Sequence, residues 1–139
     1  MTDGPLAASF RDPSGFLFRQ QGRLYRQVNA GYADDLHRLH ESGLYDLLVE
    51  KGLLVPHREA GLDLAPRPGA VAVLEPELIP FISYPYEWSF SQLKDAALLT
   101  LRVLRLALKR GMTLKDASAY NVSFLGARPV FADILSITR

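Results

Sequence analysis

The alternation of apolar and polar residues predicts a β-hairpin over residues 16–28. Side chains alternate with period two on both sides of Gln21-Gly22, and a glycine at that point is typical of a two-residue turn. The period-two pattern does not show which face of the hairpin is buried. It puts Phe16 and Phe18 on one face and Leu17 and Tyr25 on the other, so both faces carry large apolar side chains.

A helical repeat follows over residues 31–51. Leucines recur there at helical spacing, Asn29 stands at the expected N-cap, and Gly52 stands where a helix would end. The dipeptide Ser42-Gly43 predicts a break into two helices. Before the hairpin, residues 1–14 are small, polar and rich in proline and glycine, and we expect a flexible lead-in.

The middle of the chain predicts a loop and two strands. Residues 57–69 contain two glycines and two prolines, which favour a loop. The apolar runs at residues 70–74 and 78–84 predict strands, and Pro80 places part of the second at a sheet edge or bulge.

The longest predicted element is a helix over residues 90–110. Ser89 and Gln92 have the spacing of a capping box, and Gly111 marks the end. Apolar residues cover most of its circumference, which is typical of a helix buried on most sides. The remaining positions form a basic stripe that we interpret as the solvated side: Lys94, Arg102, Arg105 and Lys109.

The last residues predict a loop and a second hairpin, turning near residues 127–128. Asn121 and Asp133 then lie almost opposite each other at its open end, and paired strand positions are about 5 Å apart. Two oxygen-bearing side chains suit Mg²⁺, which prefers oxygen ligands. Asp116, on the loop after the long helix, is placed to accept a proton or orient a substrate hydroxyl.

Simpler interpretations stand beside these. Asp116 and Asn121 are also common turn residues that bond to nearby backbone. The helical cluster His37, His40 and Glu41 has metal-binding spacing, but a solvated helix face is the favoured interpretation. An aromatic run is expected to pack two sub-lobes together, with stacking on a base or a partner as the alternative: Phe81, Tyr84, Tyr86, Trp88 and Phe90.

Composition narrows the class of protein. A chain of 139 residues is one domain of ordinary size, which we place at residues 15–139. Sixteen basic and fifteen acidic side chains leave a formal charge of +1, which argues against binding nucleic acid or an anionic membrane through bulk charge. The absence of cysteine excludes disulfides, thiolate metal sites and cysteine nucleophiles. We expect a cytoplasmic protein without a signal peptide or spanning helix.

The order of these features resembles the protein-kinase-like phosphotransferases. Asp116, four residues, Asn121, a hairpin and Asp133 resemble their catalytic loop and metal-binding segment. The resemblance implies Asp116 as the catalytic aspartate, Asn121 and Asp133 as the Mg²⁺ ligands, and ATP as the nucleotide. Arg26 is the nearest counterpart of the phosphate-binding strand lysine. Its implied helix partner is Glu41, with Glu50 as the alternative.

Several residues depart from that pattern. Leu114-Lys115 precedes the aspartate where kinases have His-Arg, and Asp133-Ile134-Leu135 replaces Asp-Phe-Gly. The first hairpin carries no Gly-rich loop. Only six residues follow Asp133, whereas a full large lobe needs on the order of a hundred more. We therefore expect a truncated kinase-like α+β fold, with a small antiparallel sheet, a long buried helix and a terminal hairpin.

A second resemblance is most specific over residues 111–136. The strings Asp116-Ala-Ser-Ala-Tyr-Asn-Val122 and Asp133-Ile-Leu-Ser136 are similar to the N-terminal region of bacterial proteins described as class I S-adenosylmethionine-dependent methyltransferases, a group that includes rhizobial nodulation host-specificity proteins. The resemblance implies a fragment of a longer chain, with a methyltransferase domain following as its partner. No cofactor-binding Gly-x-Gly loop occurs here. We expect a nucleotide- or phosphate-binding module that needs Mg²⁺ and ATP if active and no cofactor if degenerate. The alternative is a non-catalytic domain that docks the methyltransferase.

Overall fold

The computed structural model describes residues 4–5, 13–77, 87–115 and 121–139. The chain forms two compact units. Unit 1 comprises Met1–Leu36 and Pro56–Leu78, and unit 2 comprises His37–Val55 and Ile79–Arg139. Across the described ranges, three α-helices and antiparallel sheets make the fold α+β, as predicted. The predicted strand at 78–84 lies outside the described residues.

Unit 1 is built on an antiparallel sheet of short strands. Its described strands are β1 Gly4–Pro5, β2 Gly15–Gln20, β3 Arg23–Asn29, β4 His57–Ala60 and β5 Ala70–Pro76, and their order in the sheet is β1-β2-β3-β5-β4. Strand β3 is central, because it pairs with β2 on one side and β5 on the other. In the predicted lead-in, β1 pairs with Phe18 and Arg19, and the Ser14 carbonyl accepts a hydrogen bond of 2.8 Å from the Asn29 amide.

The first hairpin confirms the predicted strands and turn and corrects the predicted faces. Gln20 pairs with Arg23, so Gln21-Gly22 is the two-residue turn, and both residues have positive φ, 52° and 77°. The pairing sets even-numbered residues of β2 opposite odd-numbered residues of β3. Phe18 therefore lies beside Tyr25, with ring centroids 5.5 Å apart, and the prediction that they occupy opposite faces is wrong.

A buried amide ties loops to the central strand. Gln27 is fully buried; its Nε2 donates to Asn29 Oδ1 over 2.8 Å, and its Oε1 accepts from the Arg67 amide over 3.3 Å. Asn29 occupies the cap position of the 3₁₀ helix Ala30–Tyr32 but makes no side-chain cap. Its Nδ2 instead donates to the Pro13 carbonyl over 3.2 Å. The predicted helix cap is therefore a loop anchor.

The predicted loop at 57–69 is wrong in its first part. Strand β4 pairs along β5, from His57 opposite Pro76 to Ala60 opposite Val73. As an edge strand it leaves Arg58 and Glu59 exposed. The resulting polar sequence lacks the apolar alternation from which a half-buried strand is recognised. The rest of the segment is loop with a short 3₁₀ helix, Leu62–Leu64.

The predicted helical segment is two helices, as the Ser42-Gly43 break indicated. Helix α1 is Ala33–Glu41 and helix α2 is Leu44–Glu50. Gly43 separates them with a φ of 78°. Within unit 2, Leu39, Leu44 and Leu48 are fully buried.

Helix α3, Phe90–Leu108, is the longest described element and lies in unit 2. The capping box is confirmed: the Gln92 amide donates to Ser89 Oγ over 3.3 Å, and the Ser89 amide donates to Gln92 Oε1 over 2.9 Å. Burial is confined to one face, which carries Ala96, Leu99, Thr100, Val103 and Ala107. The prediction of a helix buried on most sides is therefore wrong.

Unit 2 ends in the predicted hairpin. Its strands are β7 Val122–Leu125 and β8 Arg128–Phe131, and the turn is Gly126-Ala127. Two short strands, β6 Thr113–Leu114 and β9 Ile137–Thr138, pair beside it. Phe131 exchanges main-chain hydrogen bonds of 2.7 Å and 2.9 Å with Leu53 and Val55. This places the apolar run after α2 in the core of unit 2.

Candidate functional site

The open end of the C-terminal hairpin brings Asn121 next to the segment that carries Asp133. Val122 pairs with Phe131, and the Ala132 amide donates to the Asn121 carbonyl over 2.7 Å. Asn121 therefore lies opposite Ala132, and Asp133 follows one residue later. The predicted arrangement of Asn121 almost opposite Asp133 agrees with this register to within one position.

Asp133 is held by the short 3₁₀ helix Ile134–Ser136 that it caps. Its Oδ1 accepts a 3.0 Å hydrogen bond from the Leu135 amide, and its Oδ2 accepts one of 3.0 Å from Ser136 Oγ. The two bonds reach different oxygens, so together they fix the orientation of the carboxylate. Hydrogen bonds of this kind are typical of oriented metal-binding carboxylates. They are equally what a structural cap requires.

The carbonyl of Ser136 joins this turn to the loop that follows α3. It accepts a 2.8 Å hydrogen bond from the Lys115 amide, next to the pairing of β6 with β9. Lys115 immediately precedes Asp116 in the sequence. Asp116 itself, the predicted catalytic residue, lies outside the described residues.

The structure places Asn121 and Asp133 in different environments. Asn121 is buried, with 6% of its surface exposed, whereas Asp133 is half-buried. Among the described residues, no group of three His, Cys, Asp or Glu side chains has a metal-binding arrangement. The chemistry assigned to this end of the hairpin therefore depends on one carboxylate and one amide, both with oxygen donors.

The two predicted nucleotide-binding residues lie in separate units. Arg26 lies in the central strand of unit 1, opposite Leu74, and is 6% exposed. Arginine is rarely buried so fully unless it is paired. Glu41 ends α1 in unit 2, with 68% of its side chain exposed, and its Oε2 lies 2.8 Å from His37 Nε2.

The helical cluster of His37, His40 and Glu41 is a solvated face, as favoured from the sequence. All three residues are exposed. His40 packs on Tyr45, with ring centroids 4.7 Å apart. The cluster is therefore occupied by contacts within its own helices.

The two described residues of the aromatic run differ in burial. Trp88 is buried in unit 2 and meets Phe124 edge to face, with centroids 4.9 Å apart. Phe90, by contrast, is 84% exposed. Phe81, Tyr84 and Tyr86 lie outside the described residues.

Unit 1 carries an open hollow of about 390 Å³ where β4 and β5 meet. Arg23 and Arg58 line it, and both pair with Glu75, whose side chain is 15% exposed. The hydrogen bond to Glu75, followed by the attraction between the two charges, raises the pKa of Arg58 above its ordinary value. Both guanidinium groups are thus directed at one internal carboxylate, which joins edge strand β4 to β5.

The sequence interpretation missed an exposed apolar surface on α3. We call it the α3 stripe and define it by Phe90, Leu93, Ala97, Leu101 and Leu108, which recur at helical spacing. Four of the five have large exposed fractions: Phe90 84%, Leu93 43%, Leu101 60% and Leu108 59%. Apolar periodicity marks the faces of a helix that can pack, and it cannot distinguish a face packed within the chain from one left open.

The comparisons with known proteins identify a bacterial relative. No protein-family model matches the sequence. The chain is similar to nodulation protein NoeA of Rhizobium meliloti (strain 1021), with 43% identity over 136 residues. The alignment covers 96% of this chain and 28% of the relative, so the chain spans little more than a quarter of the relative's length. The predicted resemblance to rhizobial nodulation proteins is confirmed. The kinase-like and methyltransferase parts stay predictions.

The described helices were compared with the requirements for a membrane-spanning helix. In the described ranges, no helix combines the length and the apolar character that crossing a membrane requires.

Proposed function

We propose that this chain is a kinase-like nucleotide-binding module that holds Mg²⁺ at the open end of the C-terminal hairpin. The observation that carries the proposal is the register of β7 and β8. It sets Asn121 opposite Ala132, the residue that immediately precedes Asp133. The proposed roles are those the sequence predicts. Asn121 and Asp133 bind the cation, Arg26 is the cation that contacts phosphate, and Asp116 accepts the proton of a phosphate acceptor.

The order of elements supports this assignment. Strands β1 to β3 come first, with the buried Arg26 in β3; helices α1 and α2, strands β4 and β5, the long helix α3 and the C-terminal hairpin follow. Sheet-bearing and helix-bearing parts in this order are what the resemblance to protein-kinase-like phosphotransferases implies.

The donor set of Asn121 and Asp133 fits Mg²⁺. The cation takes oxygen ligands, usually binds one or two carboxylates and keeps several waters. When bound, it neutralises charge on nucleotide phosphates. Ser136 and the Leu135 amide hold the Asp133 carboxylate in one orientation, and Asn121 contributes a neutral amide oxygen. Asp133 is thus the residue whose charge the proposal requires.

Thermal unfolding with ATP and MgCl₂ tests this role. Asp133→Asn removes the charge but keeps an acceptor for the Leu135 amide, so the cap is largely preserved. Ser136→Ala is the matched control, because it removes a bond to the carboxylate without removing the charge. A ligand that binds only the folded state stabilises it by about 2.7 kcal/mol at a hundred times its Kd.

We expect an ATP- and Mg²⁺-dependent rise in Tm for the wild-type chain and for Ser136→Ala, and none for Asp133→Asn. No rise for the wild-type chain at millimolar ATP would reject nucleotide binding. A rise that persists in Asp133→Asn would retain nucleotide binding but reject the metal-binding role of Asp133.

A second proposed function is docking. The α3 stripe leaves large apolar side chains exposed in one row, and contiguous apolar patches on a folded domain mark interaction sites. We propose that this row binds a partner domain. In a longer protein, the methyltransferase domain that the sequence resemblance implies is the candidate partner.

A further inference from the structure

The α3 stripe runs nearly the full length of its helix. Its residues recur at spacings of three, four, four and seven, so they follow one side of α3. From Phe90 to Leu108 this side is about 27 Å long at 1.5 Å per residue. The buried residues Leu99 and Val103 lie on a different face, which packs within unit 2. The stripe is therefore additional to the surface that stabilises the unit.

One edge of the stripe is basic. Lys94 lies four residues after Phe90 and three before Ala97, and Arg105 lies four after Leu101 and three before Leu108. Residues three and four apart are neighbours on a helix surface, so both cations border the stripe directly. Lys94 and Arg105 are exposed. The structure describes every residue of α3, and Asp95 is the acidic one. Its spacing puts it beside Leu98 and Leu99, away from the α3 stripe.

The opposite edge of the stripe carries no charge. Ala96 and Thr100 follow it there, and both are buried. Thr100 Oγ1 donates to the Ala96 carbonyl over 2.9 Å, so its hydroxyl is satisfied within the helix. A partner on the stripe therefore meets apolar surface bordered on one side by cations.

From this arrangement, and resting on the docking function proposed above, we infer that the α3 stripe binds an amphipathic helix of the partner domain, and that the apolar face of this helix is bordered by Asp or Glu. Apolar contact with the stripe supplies the affinity. Attraction between the partner's carboxylates and Lys94 and Arg105 sets its orientation.

The same charges disfavour a second copy of this chain. A twofold pairing centred between Ala97 and Leu101 brings Lys94 beside the partner's Arg105, and like charges at an interface are unfavourable. A membrane is disfavoured because the chain has a formal charge of only +1, which gives little attraction to an anionic surface.

Two synthetic helical peptides test the inference against the full chain. Both carry leucines at the spacing of the stripe; one has Glu along a single edge, and the other has Lys at the same positions. We expect the Glu peptide to bind at least about tenfold more tightly by fluorescence anisotropy. The difference should shrink in about 0.5 M NaCl, because salt screens exposed charges.

Variants of the chain separate the apolar and charged contributions. The double substitution Leu101→Gln with Leu108→Gln should weaken both peptides. Lys94→Glu with Arg105→Glu should reverse the preference, so that the Lys peptide binds better. Leu62→Gln is the matched control, because Leu62 is 54% exposed in unit 1 and should leave both affinities unchanged.

The outcomes distinguish this inference from the docking function. Equal affinity for the two peptides, lost in the leucine variant, would retain docking and overturn the acidic partner. Failure of both peptides to bind at about 1 mM, or equal weakening by Leu62→Gln, would overturn both. Two other results would also overturn the inference: binding of the chain to anionic vesicles, or its dimerisation in analytical ultracentrifugation, provided that Leu101→Gln with Leu108→Gln abolishes it.

Discussion

Leu99 and Leu101 lie two residues apart in α3, yet Leu99 is 5% exposed and Leu101 is 60% exposed. Two residues correspond to about 200° around a helix of 3.6 residues per turn, so the two side chains lie on opposite sides. One leucine contributes to the core of unit 2, and the other belongs to the α3 stripe. The face of α3 that stabilises the fold is therefore distinct from the face that is exposed to a partner.

Truncating these two leucines should have different effects on stability. We expect Leu99→Ala to lower the free energy of unfolding by about 2–5 kcal/mol, through lost burial and a residual cavity. Leu101→Ala should change it by less than about 0.5 kcal/mol. Urea denaturation of both variants measures the difference. Equal losses would mean that Leu101 is covered in solution, which would also remove the basis of the docking proposal.

The stacking of Phe18 on Tyr25 should appear as an energetic coupling. In a double-mutant cycle with Phe18→Leu and Tyr25→Leu, we expect a coupling of about 0.5–1.5 kcal/mol. Leu24→Ala with Phe18→Leu is the control and should be additive, because Leu24 is on the other face of β3. Coupling to Leu24 but not to Tyr25 would contradict the register of the hairpin.

Gln27 should matter more than its neutral side chain suggests. Gln27→Leu removes an acceptor for the Arg67 amide and a donor to Asn29, and we expect a loss of about 1–3 kcal/mol in unfolding free energy. Gln20→Leu, at the half-buried end of β2, should cost less than about 0.5 kcal/mol. Chemical denaturation compares the two. A neutral Gln27→Leu would show that the loop does not depend on this amide.

Arg26 provides a test of the nucleotide proposal that is independent of the metal-binding residues. We expect Arg26→Gln to abolish the ATP- and Mg²⁺-dependent rise in Tm, because the phosphate-contacting cation is lost. Arg26→Lys should retain part of it, since the charge is kept without the planar guanidinium. Arg19→Gln, on the neighbouring strand, is the matched control. An unchanged rise in a folded Arg26→Gln variant would exclude Arg26 from the site.

The local elements were predictable where a short-range rule applied. The Gln21-Gly22 turn, the break at Gly43 and the capping box of Ser89 each depend on residues within three or four positions of one another. The edge strand His57–Ala60 was not predictable, because pairing with β5 supplies its backbone partners while its side chains remain polar. Asn29 has the right type and position for a cap, but the tertiary fold offers its amide the Pro13 carbonyl.

By itself, the sequence determined the two hairpins, the break between α1 and α2, the start of α3 and the oxygen donors that flank the last hairpin, because turns, caps and alternation are local properties of the backbone. Only the tertiary structure decided which apolar faces are used. It paired Phe18 with Tyr25 through the register of two strands, and it buried Leu99 while leaving Leu101 in solvent. A leucine has the same hydrophobicity on either side of a helix, and the elements that pack against each side determine whether it becomes core or an open surface.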